Sequence, residues 1–307
     1  MNMDRAVKWN FTRRFGIEYE FTRSTSVAAI AEAVRSAGLE CSERGWEHTR
    51  ANTQWVAKTD SSCGYELNTP VMSGWRDLKT ASEILTVIRD AGINYGNSCG
   101  NHVHVEIADF ELEQAKIMAA YWIKIERFIM NCTPNCRQDN RWCRTIEYRT
   151  RSASPNRLYS PDDAWNYCRG RDAINFGNYR NGRYGDRGTV EFRFGEMTHD
   201  PEVIKNRVRF LIWFVEICKI LPAPDNLNWY SPKQILKMFG LLQRPESPVK
   251  LHFSPAVQSM RKWLLERLIA YASDDYARDR EMCEQLLAEI NEEQRIIAQM
   301  ENDEESE

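Results

Sequence analysis

No run of apolar residues approaches the ~18–20 needed to span a membrane, and the first fourteen residues, Met1 to Arg14, are polar and basic with no apolar signal-like stretch. The nine cysteines are an odd number and form no CxxC pair. That speaks against a disulfide-stapled secreted scaffold and fits a reducing, cytoplasmic setting. There is no Gly-x-x-x-x-Gly-Lys-Ser/Thr loop, so a P-loop nucleotide site is excluded, and no fixed-period repeat is visible. What is present suffices for a core: 42% of the 307 residues are hydrophobic and 11% aromatic, which argues against disorder. At roughly 100–200 residues per domain, the length allows one large domain or two modest ones.

The net charge of −3 conceals an asymmetry. From Ser273 to Glu307 there are thirteen acidic and three basic residues, which leaves the preceding body at +7. A mildly basic body with an acidic tail suggests an anionic ligand, and phosphate on a small molecule would suffice.

Strict alternation over Phe15–Phe21 predicts a strand with Phe15, Ile17, Tyr19 and Phe21 on one face and Glu18 and Glu20 on the other. Ser26 to Ala37 reads as a helix stopped at Gly38, Gln54 to Asp60 and Tyr65 to Leu67 as strands, and Leu78 to Asp90 as a second helix. Asn101 to Ile107 alternates again, with His102, His104 and Glu106 opposite Val103, Val105 and Ile107. Asp109 is expected to cap a helix running to about Met130. Thr189 to Phe194 alternates with Glu191 and Arg193 on its polar face, and Asp200-Pro201 opens a helix to about Ile220. Pro222, Pro224 and Pro232 mark a linker, Ser254 to about Met300 is mostly helical, and Asn302 to Glu307 reads as disordered. The expected class is α+β with a largely antiparallel sheet. A core at 1–222 carries an irregular insertion at about 132–188, and 223–307 forms a helical extension with the acidic tail.

The polar faces of these strands are unusual. Residues i and i+2 lie ~7 Å apart on one face, and carboxylates so placed repel unless cations sit between them. Each motif alone has a plainer explanation: a solvated face for Glu18 and Glu20, core hydrogen bonding for His102 and His104, an ion pair for Glu191 and Arg193. Together they point to a site for hard divalent cations and phosphate.

At these motifs the sequence resembles the putative amidoligase family of glutamine synthetase-like carboxylate–amine ligases. The matching stretches are Phe15-Gly-Ile-Glu-Tyr-Glu20, Trp55-Val-Ala-Lys-Thr-Asp60-Ser-Ser, Tyr65-Glu-Leu-Asn-Thr-Pro70, Cys99-Gly-Asn-His-Val-His-Val105, Arg171-Asp-Ala-Ile-Asn175 and Thr189-Val-Glu-Phe-Arg193, in that order over about residues 13–220. The resemblance implies a curved antiparallel sheet with helices on its convex side, whose concave face holds ATP and two or three Mg²⁺ ions, with Mn²⁺ a substitute. It implies Glu18, His102 and Glu191 at one ion and Glu20 with Glu66 at another. His104 and Arg193 would face the transferred phosphate, Arg171 would be a further phosphate or substrate contact, and Asp60 would lie near the metals. The implied reaction activates a carboxylate as an acyl phosphate for attack by an amine, with Asp60 or Glu106 accepting the amine's proton. Rival readings are a phosphotransferase, a metal-dependent hydrolase, a nucleic-acid-binding protein with a vestigial metal site, and a ligase acting on a modified nucleobase.

Residues 137–187 hold eleven Arg, no Lys and eight aromatics. They read as a lid over phosphates and an anionic substrate, free or macromolecular, as a nucleic-acid surface, or as a solvated insertion. Cys132, Cys136, Cys143 and Cys168 read as reduced thiols rather than a zinc site. Cys63 and Cys99 flank the proposed metal strands, where a nucleophile would want a paired base. The stripe of Met282, Leu286 and Ile290 reads as a helix packed on its own domain. The sequence does not settle the oligomeric state.

Overall fold

The computed structural model describes residues 11–46, 53–138, 140–146, 161–168, 172–179, 187–221, 231–241, 255–271 and 277–304. Among them, one sheet is built from β1 (Phe15–Thr22), β2 (Cys41–Arg44), β3 (Trp55–Thr59), β4 (Gly64–Asn68), β5 (Gly100–Glu106), β6 (Ile174–Asn175) and β7 (Thr189–Glu196). The spatial order is β2-β3-β4-β1-β5-β7-β6. Every neighbouring pair is antiparallel except β2–β3. The helices are α1 (Val27–Ser36), α2 (Gly74–Asp90), α3 (Leu112–Met130), α4 (Asn135–Gln138), α5 (Pro161–Tyr167), α6 (Pro201–Ile220), α7 (Pro232–Met238), α8 (Pro255–Tyr271) and α9 (Ala277–Glu304). The mixed α+β class with a mostly antiparallel sheet is as expected.

Alternation in β1 sends Phe15, Ile17, Tyr19 and Phe21 into the core. There the Tyr19 hydroxyl donates to the Ala81 carbonyl of α2 at 2.7 Å. From α3, Trp122 packs against Phe192 and Phe194 of β7 and Phe214 of α6, with ring centroids 5.1, 5.6 and 5.4 Å apart. Helices thus cover the apolar face of the sheet and leave the polar face to the site. Ser26 caps α1 by accepting from the Ala29 amide, and Gly38, at φ 77°, ends it in the left-handed region. Asp200 caps α6 with Pro201 at its first turn.

Three details depart from the sequence expectations. Asp109 does not cap α3: the N-cap is Glu111, whose amide donates to Gln114 Oε1 at 2.8 Å, because Asp109 is engaged by Arg13. Helix α2 begins at Gly74 rather than Leu78, with the Ser73 amide donating to Asp77 at 2.8 Å; this polar first turn has no apolar period to reveal it. The edge strand β2 buries only Cys41, so no alternation marked it. Parts of the insertion are ordered into α4, α5 and β6. The Pro222 and Pro224 stretch lies outside the described residues, whereas Pro232, read as part of the linker, opens α7, and residues 302–304, read as disordered, end α9; residues 305–307 lie outside the described residues.

In the C-terminal part, Arg267 of α8 donates to the Cys132 carbonyl at 2.6 Å and pairs with Glu196 of β7. Leu286 and Ile290 of α9 are buried, Met282 partly so, and α9 packs against α8. No described helix is long and apolar enough to cross a membrane.

Arg13, 6% exposed, ties the start of β1 to the far end of the fold. It donates to the Glu106 carbonyl at 2.7 Å and to Asp109 at 2.8 and 3.1 Å, and it pairs with Glu216 of α6. Burial raises the Asp109 pKa, but Arg13 and Lys219 outweigh it and bring the group down to about 2. A depressed carboxylate stabilises the fold above its ordinary 3.8 and loses that contribution as the pH falls through about 2. Arg13→Ala is expected to lower unfolding stability by about 2–3 kcal/mol, below the loss for a fully buried pair because Asp109 is partly solvated. In urea titrations from pH 5 to pH 2, Asp109→Asn should show a shallower acid limb than the parent; equal slopes would contradict this.

Candidate active site

The site is assembled by strand register. Glu18 is the Cα partner of His102, and Glu20 that of Glu66. Glu66 in turn faces Lys58, while Glu191 faces His104 on one side and Asn175 on the other. Direct cross-strand partners present their side chains to the same face. Between Asn101 and Val103 the β5–β7 register shifts, with Asn101 opposite Gly195 and Val103 opposite Phe192. This bulge bends β7 next to Arg193.

Glu18, Glu20, Glu66, His102, His104, Glu191, Arg193 and Asp60 all line one open cavity of about 1020 Å³, together with Lys58, Ser62, Asn175 and the indoles of Trp46 and Trp142. Glu18 sits between both imidazoles, 3.1 Å from His102 Nδ1 and 3.0 Å from His104 Nε2. His102 Nε2 reaches Glu20 at 3.5 Å, and its Nδ1 lies 3.8 Å from Glu191. Glu191 accepts from Asn175 Nδ2 at 2.8 Å and from Arg193. Arg193 Nε also donates to the Trp142 carbonyl at 3.1 Å. Lys58 Nζ lies 3.1 Å from Glu66. Asp60, on the β3–β4 turn, accepts from Ser62 and from the Cys63 amide at 3.0 Å. That turn closes at Gly64, whose φ of 133° and whose close approach to Arg23 (a Cβ would lie 2.7 Å from its Cγ) both call for glycine.

A neighbouring cavity of about 800 Å³ shares Glu18, His104 and Arg187 with the first and is walled by Gly16, Thr69, Pro70 and Val71. Glu106 lines this second cavity, where Arg14 pairs with it, and it does not join the carboxylate cluster. Arg171 lies outside the described residues. Cys132, Cys143 and Cys168 are buried and Cys136 is exposed, and none of the four is in a disulfide.

Several participants were not assigned from sequence. Lys58 and Asn175 owe their positions to register. Arg137, 1% exposed, donates to the Arg193 carbonyl at 2.8 Å and to the Ser98 carbonyl at 3.4 Å. It leaves room for nothing larger than glycine at position 100, where a Cβ would lie 2.7 Å from Arg137 and 3.1 Å from His102. In sequence, the one trace of Arg137 was the arginine density of its segment.

The electrostatics follow from crowding charges away from water. Glu20, Glu66 and Glu191 are each 5% exposed and His102 is 3% exposed. Burial raises the Glu18 pKa, yet His104 and His102 more than compensate and hold it well below the usual carboxylate range. Burial likewise works against Glu191, and Arg193 and His104 bring it below normal. Glu66 is pushed up to about 8 by burial and the Glu18 charge, against the pull of Lys58. Asp60 is lowered, its hydrogen bonds from Ser62 and Cys63 exceeding its burial. The Arg193 guanidinium is held charged by Glu191, Glu18 and Glu20 despite burial.

Among the described residues, two donor sets lie close enough to hold an ion: Glu18, His102 and Glu191, and separately Glu20, Asp60 and Cys63, with the ligand atoms of each set within 4.8 Å of one another. Carboxylate oxygens supplemented by imidazole fit Mg²⁺ or Mn²⁺, and buried like charges on one face call for such a counter-charge. Glu66 faces Glu20 but is engaged by Lys58.

This sheet face gathers carboxylates, two imidazoles and a guanidinium within reach of one another. Residues 11–215 match the family described as "Putative amidoligase enzyme". The chain belongs to this family of amide-bond-forming ligases. No curated protein matches it. Among solved structures, it is similar to the complex between Prokaryotic Ubiquitin-like Protein Pup and its ligase PafA, at 13% identity and a TM-score of 0.42, with 97% of this chain and 70% of that chain covered.

The Glu18–His104 contact has a measurable consequence. Burial lowers the His104 pKa, but Glu18 outweighs it and raises it above 6.5. The ion pair is therefore fully formed below 6.5 and is lost as the pH rises through the raised value. In metal-free protein, NMR titration of His104 should give a value above 6.5, and Glu18→Gln should move it downward. An unchanged titration would show that the two groups do not interact.

Proposed function

We propose that the protein is an ATP- and Mg²⁺-dependent carboxylate–amine ligase on a glutamine synthetase-like fold. The single observation that supports this reading most is the convergence of Glu18, Glu20, His102, Glu191 and Arg193, from three strands, on one cavity. A carboxylate does not condense with an amine in neutral water because hydroxide is a poor leaving group. Phosphorylation by ATP converts that oxygen into phosphate, which leaves when the amine attacks. Such a transfer asks the protein mainly for positioning and charge neutralisation.

In this reading Glu18, His102 and Glu191 hold one Mg²⁺, and Glu20 with Asp60 or Glu66 holds a second. Bound there, the ions neutralise the phosphate oxygens. Arg193, a permanent cation beside Glu191, donates to the transferred phosphoryl group, and His104 donates to its neighbour. Arg171 adds a further phosphate or substrate contact. The two cavities meet at Glu18 and His104. A nucleotide base against Gly16, Pro70 and Val71 would accordingly leave its phosphates at the carboxylates. The acid and amine then enter beside Asp60, Ser62 and Trp142. Asp60, its pKa lowered, orients the ammonium and takes a proton from it, and the neutral amine so released then attacks the acyl phosphate as phosphate leaves.

ADP and free phosphate are expected only when an acid and an amine are supplied together, read by coupled ADP assay and product mass spectrometry on pooled amino acids, polyamines and nucleosides. ADP without phosphate would indicate a kinase, and ATP-independent turnover a hydrolase. Arg193→Ala should reduce kcat by about 10²–10³-fold. Glu18→Ala should abolish turnover with the circular dichroism spectrum intact; surviving activity would refute the metal assignment.

A further inference from the structure

One guanidinium, on the side of the sheet away from the carboxylates, spans the β5–β7 bulge. Arg207 of α6 is 1% exposed and is not among the residues that line either cavity. Its Nη1 donates to Asn101 Oδ1 and to the Glu196 carbonyl, both at 3.0 Å, and its Nη2 lies 2.7 Å from the Glu196 carboxylate. Asn101 alternates with His102 along β5, is fully buried, and passes the contact on: its Nδ2 donates to the Glu18 carbonyl at 3.3 Å. The guanidinium lies flat against Gly195, where a Cβ would sit 2.7 Å from Nη1 and 2.8 Å from Cζ. Asn101 and Gly195 are the facing pair at which the register shifts. One side chain therefore holds the bulge, the end of β7 and, through Asn101, the main chain of Glu18.

We propose that Arg207 is a positioning residue for the trio of Glu18, His102 and Glu191, acting through Asn101 and the bulge; this rests on the reading of that trio as ion ligands. A bulge interrupts the ladder and re-aims the side chains beside it. His102 follows Asn101 directly, and Glu191 and Arg193 lie just before Gly195 on β7. A slip of the β5–β7 pairing by one residue would turn these side chains toward the core. The planar fork of an arginine can hold Asn101 and Glu196 at once, and Gly195 leaves room for it. Covering the sheet does not require a cation there, since an apolar side chain is easier to bury. Positive charge is already in excess: Arg267 also pairs with Glu196, and Arg137 holds the carbonyls of Ser98 and Arg193. Burial, with Arg267 and Arg137, brings the Arg207 pKa down to about 10 against the pull of Glu196, which leaves the group charged at neutral pH.

Position and charge make opposite demands here, which gives the proposal a sign. Through its field alone, Arg207 repels a divalent ion, so removing its charge would tighten metal binding. Through position, removing it lets the bulge relax and loosens the ligands. Residues that orient metal ligands from behind change metal affinity by about 10–100-fold. The same opposition holds at Asn101. Aspartate there keeps an acceptor for Arg207 and adds a negative charge that would attract the ion, but it has no donor for the Glu18 carbonyl.

The test uses the full-length protein with Mn²⁺ as the probe, counted by electron paramagnetic resonance, and unfolding followed in urea. The reading concerns the ion that Glu18→Ala removes. Arg207→Gln and Asn101→Asp are each expected to weaken it by about 10–100-fold while unfolding stays cooperative. Arg207→Lys should bind Mn²⁺ more tightly than Arg207→Gln despite its extra charge. Gly195→Ala, whose Cβ displaces the guanidinium, should reproduce Arg207→Gln, and the two combined should lose no more affinity than either alone. Tighter binding in Arg207→Gln, or unchanged binding in folded Asn101→Asp, would overturn the proposal. If Arg207→Gln does not fold, Asn101→Asp and Gly195→Ala decide it. Parent protein that binds no Mn²⁺ would instead refute the ion-ligand reading. Amide exchange in metal-free protein then decides the hold on the bulge: faster exchange confined to residues 101–103 and 193–196 in Arg207→Gln supports it, and parent rates there overturn it.

Discussion

The arrangement of this protein rests on the cost of keeping carboxylates out of water. Glu20, Glu66 and Glu191 are almost fully buried on one sheet face, with Glu18 between them. Isolated buried anions cost several kcal/mol each, so the face has to supply positive charge. Lys58, Arg193 and His104 supply part of it. In the proposed reading, ions with oxygen preferences would complete the compensation. An apolar replacement of the same face would be as stable or more so, so the charge is best understood as serving chemistry.

Precision at such a centre comes from the layer beneath it. Tyr19, Val103 and Phe192, on the opposite face of the same strands, are locked into the aromatic and aliphatic core, which fixes where Glu18, His102 and Glu191 point. Arg137 reaches under β7 to hold the Arg193 backbone, and Arg13 and Arg267 tether distant helices to the ends of the sheet. These are buried cations on carbonyls and carboxylates, where loss of one partner is costly, and they keep the two cavities in fixed relation at Glu18 and His104.

How much of this was legible follows from how strands bury. In β1, β5 and β7 one face is apolar and the other polar, so the period of two shows in the sequence, and the unusual polar residues stand out against it. In β3, Trp55, Val56, Ala57 and Lys58 are all buried, and Lys58 gave no sign of its role because its partner lies on another strand. Asn175 sits in a two-residue strand, too short for any period. Asp109 illustrates the opposite error: its residue type suited a helix cap, but Arg13, from ninety-six positions away, claimed it. Local chemistry was therefore readable where neighbours in sequence determine it, and unreadable where register or long-range pairing does.

The most direct measurement of the central claim is Mn²⁺ binding followed by calorimetry and electron paramagnetic resonance, with a non-hydrolysable ATP analogue present. The account predicts at least two ions per chain, with Glu18→Ala and Glu20→Ala each removing a different one while the fold persists. Absence of stoichiometric Mn²⁺, or binding indifferent to both substitutions, would contradict it.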